Sequence, residues 1–370
     1  METATPLTSM RILQVVNSLD PVDGGPPTVV LRLSAALARE GAAVTLYSTE
    51  RSGREAEIAS TLQGIPGIDR VRRVSDVCDS AVDRLLGRPA QTFLQRSGAD
   101  FDLIQVHGLW RPPLHAILKM AIRRSCPYVI SPHGMLARWA LAQKPWRKQL
   151  ALLLSWRRLV ARSLFVQALT RAEADDYRKL GIEAPVEIVP NGFFPEEMGE
   201  LPAAGAFHAA HPELGGQRFI LFLARLHYVK RADLLLRAFA KVAKLVPDVD
   251  LVLAGPDCGT KSRVEAEVKL LGLRPRVLLP GPLYGAEVRR LGRCGLLLSD
   301  QRLRELQHVH PRGHGSRPAS RHHQAVQLRR GGQRARSLVL AKYTWPIVAR
   351  QMLATCERRL AAKPIIASAS

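Results

Sequence analysis

Short apolar segments alternate with amphipathic ones along most of this chain. Residues 10–17 have the length and composition of a strand, and residues 28–39 have the i, i+3, i+4 spacing of a helix with one apolar face. A second predicted strand, residues 43–48, follows a helix stop at Gly41. A strand, a helix and a strand in this order form a right-handed unit with two parallel strands. The pattern therefore predicts an α/β fold.

The same alternation continues and then begins again. Four further strands are predicted at residues 103–106, 128–131, 165–168 and 186–189, before a break at residues 190–192. A second series of strands begins at Phe219 and continues at residues 249–255, 276–281 and 295–298. We therefore expect an α/β protein with two Rossmann-like doubly wound domains that face each other across a cleft.

The predicted domain boundaries lie where this pattern breaks. Residues 1–195 are predicted to form an N-terminal Rossmann-like domain, and 196–217 a linker rich in Gly, Ala, Pro and His. Residues 218–298 form a second Rossmann-like domain. The pattern is lost in residues 299–337, and a helix and tail are predicted in 338–370. The second domain is therefore expected to be incomplete.

Two basic residues, Arg225 and Lys230, lie five positions apart directly after the predicted strand that begins at Phe219. A helical apolar pattern follows in residues 232–243. The turn between strand and helix therefore brings a guanidinium, an ammonium and a helix N-terminus together, which suits a diphosphate. The alternative is that both residues are solvated loop charges, as such residues usually are.

Glycine and histidine residues follow several predicted strands of the first domain. Gly24 and Gly25 lie on the loop after the first strand, where a glycine backbone can approach a ligand and offer N–H groups to a phosphate. His107 and His133 come just after two later strands, at the carboxyl end of the sheet where ligands of such folds bind. Glycine pairs also form ordinary turns, and a single histidine is more often a capping or core residue, so both interpretations stay open.

The composition narrows the classes of partner and compartment. A net charge of +22 indicates an anionic partner such as a nucleotide, a phospholipid or nucleic acid. No segment approaches the ~20 apolar residues of a membrane span. The first nine residues lack a signal-peptide pattern, so we expect a cytoplasmic protein. The five cysteines are scattered, without a CxxC pair, which predicts reduced thiols rather than disulfides or a zinc site.

Residues 138–158, from Arg138 to Arg158, combine three tryptophans with basic residues and a leucine-rich stripe. The tryptophans are Trp139, Trp146 and Trp156. Such a segment can lie in the headgroup layer of an anionic membrane, which would place the protein at the inner membrane face. A core-facing helix with a solvated basic face explains the same pattern, and we favour that interpretation.

Five short motifs occur in an order and spacing that resemble one enzyme family. They are Asp23-Gly24-Gly25, Ser131-Pro-His-Gly-Met135, Ile188-Val-Pro-Asn-Gly192, Ala224-Arg-Leu-His-Tyr-Val-Lys230 and Leu253-Ala-Gly-Pro256. Together they resemble the retaining glycosyltransferases of family 4, also called group 1, which have the GT-B fold. The resemblance extends from Met10 to about Leu298 and resumes near Leu338. The stretch after His133 is most similar to members that assemble bacterial cell-surface polysaccharide.

The resemblance implies that a sugar is transferred, with retention of configuration, from a nucleotide-diphosphate-sugar donor to a saccharide or lipid-linked saccharide. Arg225 and Lys230 would hold the donor diphosphate on the second domain, and the Gly24-Gly25 loop would approach it. His133 matches the family histidine that contacts the donor sugar near the reacting carbon, and it is the catalytic candidate.

Further expectations concern the acceptor and the absence of a metal. The resemblance implies that the acceptor binds to the first domain around His107, Trp110 and the Gly24 loop. Fixed cations stabilise a leaving diphosphate without a metal ion. Because no convincing DxD-like motif is present, we expect neither a metal nor a cofactor. We also expect no specific nucleic-acid partner, because the basic tract after Leu298 lacks interleaved aromatic residues.

Residues 299–337, from Ser299 to Ser337, depart from the family pattern. A family member would have an acidic loop, a helix with two glutamates and an apolar strand, but this tract is rich in Arg, His, Gln and Gly. Taken at face value it is a basic tract for nucleic acid or metal, although it lacks interleaved aromatic residues. A reading-frame shift by one nucleotide permits codons for the missing helix and strand, so we favour a frameshifted or mis-sequenced gene. Three hypotheses therefore remain: an impaired glycosyltransferase, its catalytically inactive remnant, and a basic nucleic-acid-binding protein.

Overall fold

The computed structural model describes residues 10–97, 101–141, 146, 156–198, 205–283, 287, 296–298 and 340–362. The chain divides into two compact units, one of Met1–Glu197 with Ala335–Ser370 and one of Met198–Arg334. Each unit is built on a parallel sheet with helices. The predicted α/β class with two Rossmann-like domains is therefore confirmed.

The first unit contains a seven-stranded sheet in the order β3-β2-β1-β4-β5-β6-β7, with every neighbouring pair parallel. Its strands are β1 (Arg11–Val16), β2 (Ala43–Glu50), β3 (Arg72–Val77), β4 (Leu103–His107), β5 (Tyr128–Ser131), β6 (Phe165–Ala168) and β7 (Val186–Ile188). The strand order reverses between β1 and β4, because β2 and β3 lie on one side of β1 and the later strands on the other. In open α/β sheets, ligands bind beyond the carboxyl ends of the strands at such a point.

The helices of the first unit connect these strands and cover the sheet. They are α1 (Gly25–Arg39), α2 (Glu55–Leu62), α3 (Ala81–Leu86), α4 (Arg88–Arg96), α5 (Pro112–Arg123), α6 (Arg138–Leu141), α7 (Arg157–Ala161), α8 (Arg171–Lys179) and α9 (Pro195–Met198). Helix α1 begins three residues before the predicted start. Pro26 and Pro27 are compatible with the first helical turn, where a backbone N–H has no partner within the helix.

The C-terminal helix α13 (Trp345–Ala361) belongs to the first unit and packs along α1. Trp345 is fully buried, and its backbone N–H donates to the carbonyl of Phe193. A Cβ at Gly192 would lie 2.8 Å from the backbone nitrogen of Trp345, so only glycine permits this approach. The end of the chain is thus fixed against the segment that follows β7.

The second unit contains a parallel sheet in the order β10-β9-β8-β11. Its strands are β8 (Arg218–Leu223), β9 (Val249–Ala254), β10 (Val277–Gly281) and β11 (Leu296–Leu298), and its helices are α10 (Ala206–Ala210), α11 (Ala232–Ala243) and α12 (Lys261–Leu270). Residues 299–339 lie outside the described residues, so the proposed frameshift stays a hypothesis.

The predicted linker needs a correction. The described part of residues 196–217 is folded, because α10 and a 3-10 turn at Pro212–Leu214 pack on the second unit. Phe207 and Leu214 are buried, and the ring of Phe207 lies 5.2 Å from that of Phe219. Two isolated apolar residues among Ala, Gly and His give no detectable period, which is why the sequence pattern indicated a linker.

Candidate functional site

His133 lies on the loop after β5 with a left-handed backbone, at a φ of 50°. Its Nε2 atom is 2.9 Å from Nδ1 of His107, the last residue of β4, and the two rings are stacked with 5.1 Å between their centroids. The Nε2 atom of His107 is 2.6 Å from the side-chain oxygen of Gln14 on β1. Thus the two predicted histidines form one hydrogen-bonded pair at the carboxyl end of the sheet.

The pair is one end of a chain of polar side chains that crosses the sheet, all of them buried except the half-buried His133. Gln14 donates from its amide nitrogen to the Gln105 side-chain oxygen at 3.0 Å, and Gln105 donates to Ser131 and Gln167 at 2.8 and 3.2 Å. Ser131 also donates to the side-chain oxygen of Gln167 at 2.6 Å. The chain ends where Gln167 donates to the backbone carbonyl of Val189 at 2.8 Å. We call these six side chains the polar chain: Gln14, Gln105, His107, Ser131, His133 and Gln167.

The backbone carbonyl of Val189 gives the polar chain a direction, because a carbonyl oxygen can only accept. Each glutamine in turn has its nitrogen towards β7 and its oxygen towards the histidines. His107 therefore donates from Nε2 to Gln14, and its Nδ1 accepts from the Nε2–H of His133. In this tautomer the Nδ1 lone pair of His133 is its remaining hydrogen-bond acceptor.

Both rings are held in the neutral state. Burial lowers the pKa of His133 to about 4. Burial, followed by the neighbouring His133, lowers the pKa of His107 well below its usual value. Protonating either ring would add a proton to a nitrogen that is buried or already paired. At neutral pH, His133 is therefore an oriented, uncharged side chain.

The sequence analysis missed the other members of the polar chain, although a signal was present. Gln14, Gln105 and Gln167 each interrupt an otherwise apolar strand, and Gln14 lies directly opposite Gln105 in the β1–β4 register. A buried polar side chain is costly without partners, so a glutamine repeated in neighbouring buried strands indicates a shared network.

The Gly24-Gly25 loop is less open to an anion than predicted. Gly24 has a φ of 91°, which favours glycine, but its N–H already donates to the carbonyl of Pro21 at 3.1 Å. Pro26 and Pro27 have no N–H, so among the first three residues of α1 only Gly25 has a backbone donor. The predicted contact with a diphosphate thus depends on one backbone group.

Two neighbouring cavities lie beyond the carboxyl ends of β1 and β4. The smaller, of about 70 Å³, is lined by His107, Asp23 and Pro26 among others. The larger, of about 490 Å³, extends from Asn17 to α3 and the start of α5. Trp110 lines neither cavity; its ring lies 5.8 Å from that of the buried Trp156. The predicted acceptor role of Trp110 and His107 stays a prediction.

In the second unit, Arg225 and Lys230 lie on the turn between β8 and α11. Arg225 is exposed, and Lys230 ends a 3-10 turn that begins at Tyr228. Burial, followed by the charges of Arg225 and Lys230, lowers the pKa of His227. The role of Arg225 and Lys230 in holding a diphosphate stays a prediction.

Gly255, on the loop after β9, holds this turn through a close backbone contact. The loop after β9 passes so close to the loop after β8 that a Cβ at Gly255 would lie 1.9 Å from the carbonyl oxygen of Ala224. Leu226 donates to the carbonyl of Pro256 at 2.9 Å, and Cys258 donates back to Leu226 at 3.0 Å. The backbone position of Arg225 is therefore set by contacts between two loops.

Comparisons with known proteins concern the family and the fold. The family model described as Glycosyltransferase Family 4 matches residues 23–197, and that described as Glycosyl transferases group 1 matches residues 205–294. The chain belongs to this glycosyltransferase family. A curated relative, D-inositol 3-phosphate glycosyltransferase from Xylanimonas cellulosilytica, is 28% identical over 72% of this chain. The match covers 66% of that relative's length, slightly under two thirds.

Solved structures of other proteins have the same fold as this chain. Sucrose-phosphate synthase from Thermosynechococcus elongatus has a TM-score of 0.63 at 16% identity, covering 95% of this chain and all of that one. Anabaena HepE in complex with UDP and glucose has a TM-score of 0.62 at 15% identity, covering 94% of this chain and all of HepE. These likenesses show the GT-B fold class.

Two further expectations concern the membrane and metal ions. Trp156 is buried, whereas Trp146 is 63% exposed; the side chain of Trp139 and most of residues 142–155 lie outside the described part. Within the described residues, no helix combines the length and apolarity needed to cross a bilayer. In the part of the chain that the structure describes, no group of three or more His, Cys, Asp or Glu side chains is placed to hold a metal ion.

Proposed function

We propose that this chain is a retaining glycosyltransferase that moves a sugar from a nucleotide-diphosphate donor to a saccharide or lipid-linked saccharide of the cell surface. The observation that carries the proposal is the turn after β8, which places Arg225 and Lys230 together on the connection from that strand to α11. Family membership supports the reaction class. The UDP bound to Anabaena HepE supports a nucleotide-diphosphate donor.

The two cations stabilise charge that develops during the reaction. When the bond between the sugar and the diphosphate breaks, negative charge grows on the leaving diphosphate. Side chains already held near that position stabilise the charge without reorganising. We assign Arg225 and Lys230 this role and propose that no metal ion takes part.

His133 acts on the donor sugar as a neutral hydrogen-bond acceptor. Its Nε2–H is engaged by His107, and its pKa of about 4 excludes a cationic ring at neutral pH. The free Nδ1 lone pair accepts from a sugar hydroxyl. We therefore propose that His133 orients the sugar rather than donating a proton to it.

We further propose that transfer by this chain is impaired. The tract at 299–337 lacks the two glutamates that the family resemblance implies for binding the donor's hydroxyl groups. Hydrogen bonds to charged groups contribute about 1.5 to 3 kcal/mol each, so losing both weakens donor affinity by orders of magnitude. The same tract favours the second candidate, a catalytically inactive remnant.

One experiment tests both candidates. The purified chain and a version from a repaired reading frame are incubated with UDP-, GDP-, ADP- and dTDP-sugars, and release of nucleoside diphosphate is measured. We expect release by the repaired version, a slower rate in the present chain and loss in Arg225→Ala of the repaired version. Equal rates in the two versions would contradict the impairment. If neither version releases product nor binds a nucleoside diphosphate, the transferase proposal fails.

The reading frame itself is tested by sequencing the gene across the codons of Leu298 and Leu338. An intact frame whose codons cannot spell the missing helix would end the frameshift hypothesis. The site of action also stays a proposal: we place the enzyme in the cytoplasm, and contact of residues 138–158 with the inner membrane face stays the alternative to a core-facing helix.

A further inference from the structure

The larger cavity of the first unit carries an arrangement of charge that the proposed transfer chemistry leaves unused. Its volume is about 490 Å³, and it lies beyond β1 and β2 and beside the first turns of α3 and α5. The lining residues are Asn17, Ser18, Asp20, Val22, Asp23, Thr49, Arg51, Ala81, Arg84, Leu85, Arg111, Pro112 and Pro113. This volume is sufficient for a phosphorylated ligand of moderate size.

Three arginines line the cavity: Arg51, Arg84 and Arg111. Within the described part of the chain, none of them forms an ion pair. Arginines nearby behave differently: Arg54 binds Asp20 at 2.6 Å, and Arg88 binds Asp83 at 2.9 Å. The cavity therefore collects arginines that have no described carboxylate within ion-pair distance, although Arg84 and Arg51 lie near enough to Asp79 to help lower its pKa.

The carboxylates of the cavity do not balance this charge. Asp20 accepts two hydrogen bonds from Arg54, which is not a lining residue, and one from the backbone of Val22. The hydrogen bond from Arg54 is the main reason why the pKa of Asp20 is lowered. Asp23 is the other carboxylate in the lining. Among the lining residues, three arginines thus stand against one carboxylate, Asp23, that has no ion pair in the part of the chain that the structure describes.

Exposed apolar side chains adjoin the same cavity. Val22 and Leu85, both in its lining, are 76% and 71% exposed. Val82, Leu85 and Leu86 lie at i, i+3 and i+4 on α3, so they share one face of that helix, and all three are exposed. A contiguous apolar surface beside a polar site commonly marks a binding surface.

We propose that this cavity binds the phosphate or diphosphate of a lipid-linked acceptor, with the lipid chain lying on the apolar face of α3. The guanidinium groups of Arg51, Arg84 and Arg111 match an anionic head group, because guanidinium forms charge-assisted hydrogen bonds to phosphate oxygens. The apolar face next to them matches a chain attached to that head group. The description of this ligand as the acceptor rests on the proposed function, whereas the binding itself does not.

The test measures binding of a phosphorylated lipid to the first unit after the predicted donor site of the second unit has been removed by substitution. In the Arg225→Ala/Lys230→Ala background, calorimetry is used to titrate farnesyl diphosphate, pyrophosphate and farnesol. We expect farnesyl diphosphate to bind at least tenfold more tightly than either of the other two. Equal binding of farnesyl diphosphate and pyrophosphate would overturn the role of α3.

Single substitutions then separate the two halves of the site. Arg84→Ala should weaken farnesyl diphosphate binding by tenfold or more, whereas Arg88→Ala, which removes a paired arginine outside the cavity, should leave it unchanged. Leu85→Asn should weaken binding of farnesyl diphosphate but not of pyrophosphate. If Arg84→Ala, folded as judged by circular dichroism, binds farnesyl diphosphate as tightly as its parent, the proposal is wrong. Release of nucleoside diphosphate from the donor by the intact protein does not depend on this result.

Discussion

The loop after β5 and the loop after β8 are held in place in different ways. Side-chain hydrogen bonds hold His133 in an uncharged, half-buried position. Backbone contacts with the loop after β9 hold the turn of Arg225, whose side chain is exposed. A neutral ring acts through one directional hydrogen bond, so its orientation must be fixed. A cation acts through a Coulomb interaction, whose strength depends on its distance from the anion. The two loops therefore respond to different substitutions.

The largest expected effect comes from breaking the backbone contact of the second loop. Gly255→Ala places a Cβ 1.9 Å from the carbonyl oxygen of Ala224, at a φ of 154°. The clash and the unfavourable backbone together should lower the free energy of unfolding by about 3 to 4 kcal/mol. The displaced loop should also weaken UDP binding. Urea unfolding and calorimetry measure the two effects.

Gly259→Ala is the matched control for this substitution. Gly259 also has a positive φ, of 90°, but a Cβ there meets nothing within 4 Å. It should cost about 1 kcal/mol and leave UDP affinity unchanged. Similar losses in both variants would show that the contact between the two loops does not position Arg225.

The strand pattern of the fold was predictable because most buried parallel strands are continuous apolar runs. The bounds predicted for β5 and β6 agree with the structure. Strand β3 was missed, because Arg72, Arg73 and Asp76 interrupt it and it lies at the edge of the sheet. The packing of α13 on α1 could not be predicted from local pattern, since it joins segments about 300 positions apart.

The positions of the candidate site residues were predictable from the sequence, but the hydrogen bonds that they form were not. The histidines follow strands of the first unit and the cations follow a strand of the second, and a parallel sheet places such residues at the carboxyl ends of its own strands. Nothing local in the sequence indicates that His107 uses both ring nitrogens, or that the Gly24 N–H is already bonded to Pro21. Such details depend on strand register and on loop conformation.

Breaking the polar chain should have the next largest effect. Gln105→Leu leaves the Gln14 amide nitrogen without its acceptor and removes the donor to Ser131 and Gln167. Because a buried unsatisfied group costs about 1 to 3 kcal/mol, unfolding should become easier by about 3 kcal/mol. The freed Gln14 amide can rotate, so His133 should lose its single tautomer. Nitrogen NMR of the ring measures this directly.

Gln63→Leu, at an exposed position, serves as the control and should change neither quantity. A His133 signal that keeps one tautomer in Gln105→Leu would show that the polar chain does not set its orientation. His133→Asn identifies the signal in the spectrum.

Removing a cation should affect ligand binding but hardly affect folding. Arg225 is exposed, so Arg225→Ala should change the free energy of unfolding by less than about 0.5 kcal/mol. UDP affinity should fall by about 1.5 to 3 kcal/mol, or roughly 10- to 100-fold. Arg274→Ala removes an exposed arginine just before β10 and should leave UDP affinity unchanged. Arg274 lies before the amino end of β10, whereas Arg225 lies beyond the carboxyl end of β8. If Arg225→Ala binds UDP as tightly as its parent, Arg225 does not hold the donor diphosphate.

The smallest effect in this comparison concerns the proton equilibrium of the buried His107 and the half-buried His133. The pKa values of His107 and His133 in the folded protein lie below the ordinary value of 6.5. As the pH falls below 6.5, the unfolded chain binds protons that the folded protein does not. Each histidine should therefore lower the free energy of unfolding by about 1.4 kcal/mol per pH unit until the pH reaches its folded pKa.

Comparing slopes isolates this contribution from other groups. Carboxylates with lowered pKa values, such as Asp20 and Asp102, also destabilise the fold in acid, but equally in every variant. His133→Asn should therefore reduce the slope of unfolding free energy against pH, measured by urea unfolding between pH 5 and 6, by about 1.4 kcal/mol per unit. Gln63→Leu, which removes no titratable group, should leave the slope unchanged. An unaltered slope in His133→Asn would mean that His133 is protonated in the folded protein, and its role as a neutral acceptor would have to be abandoned.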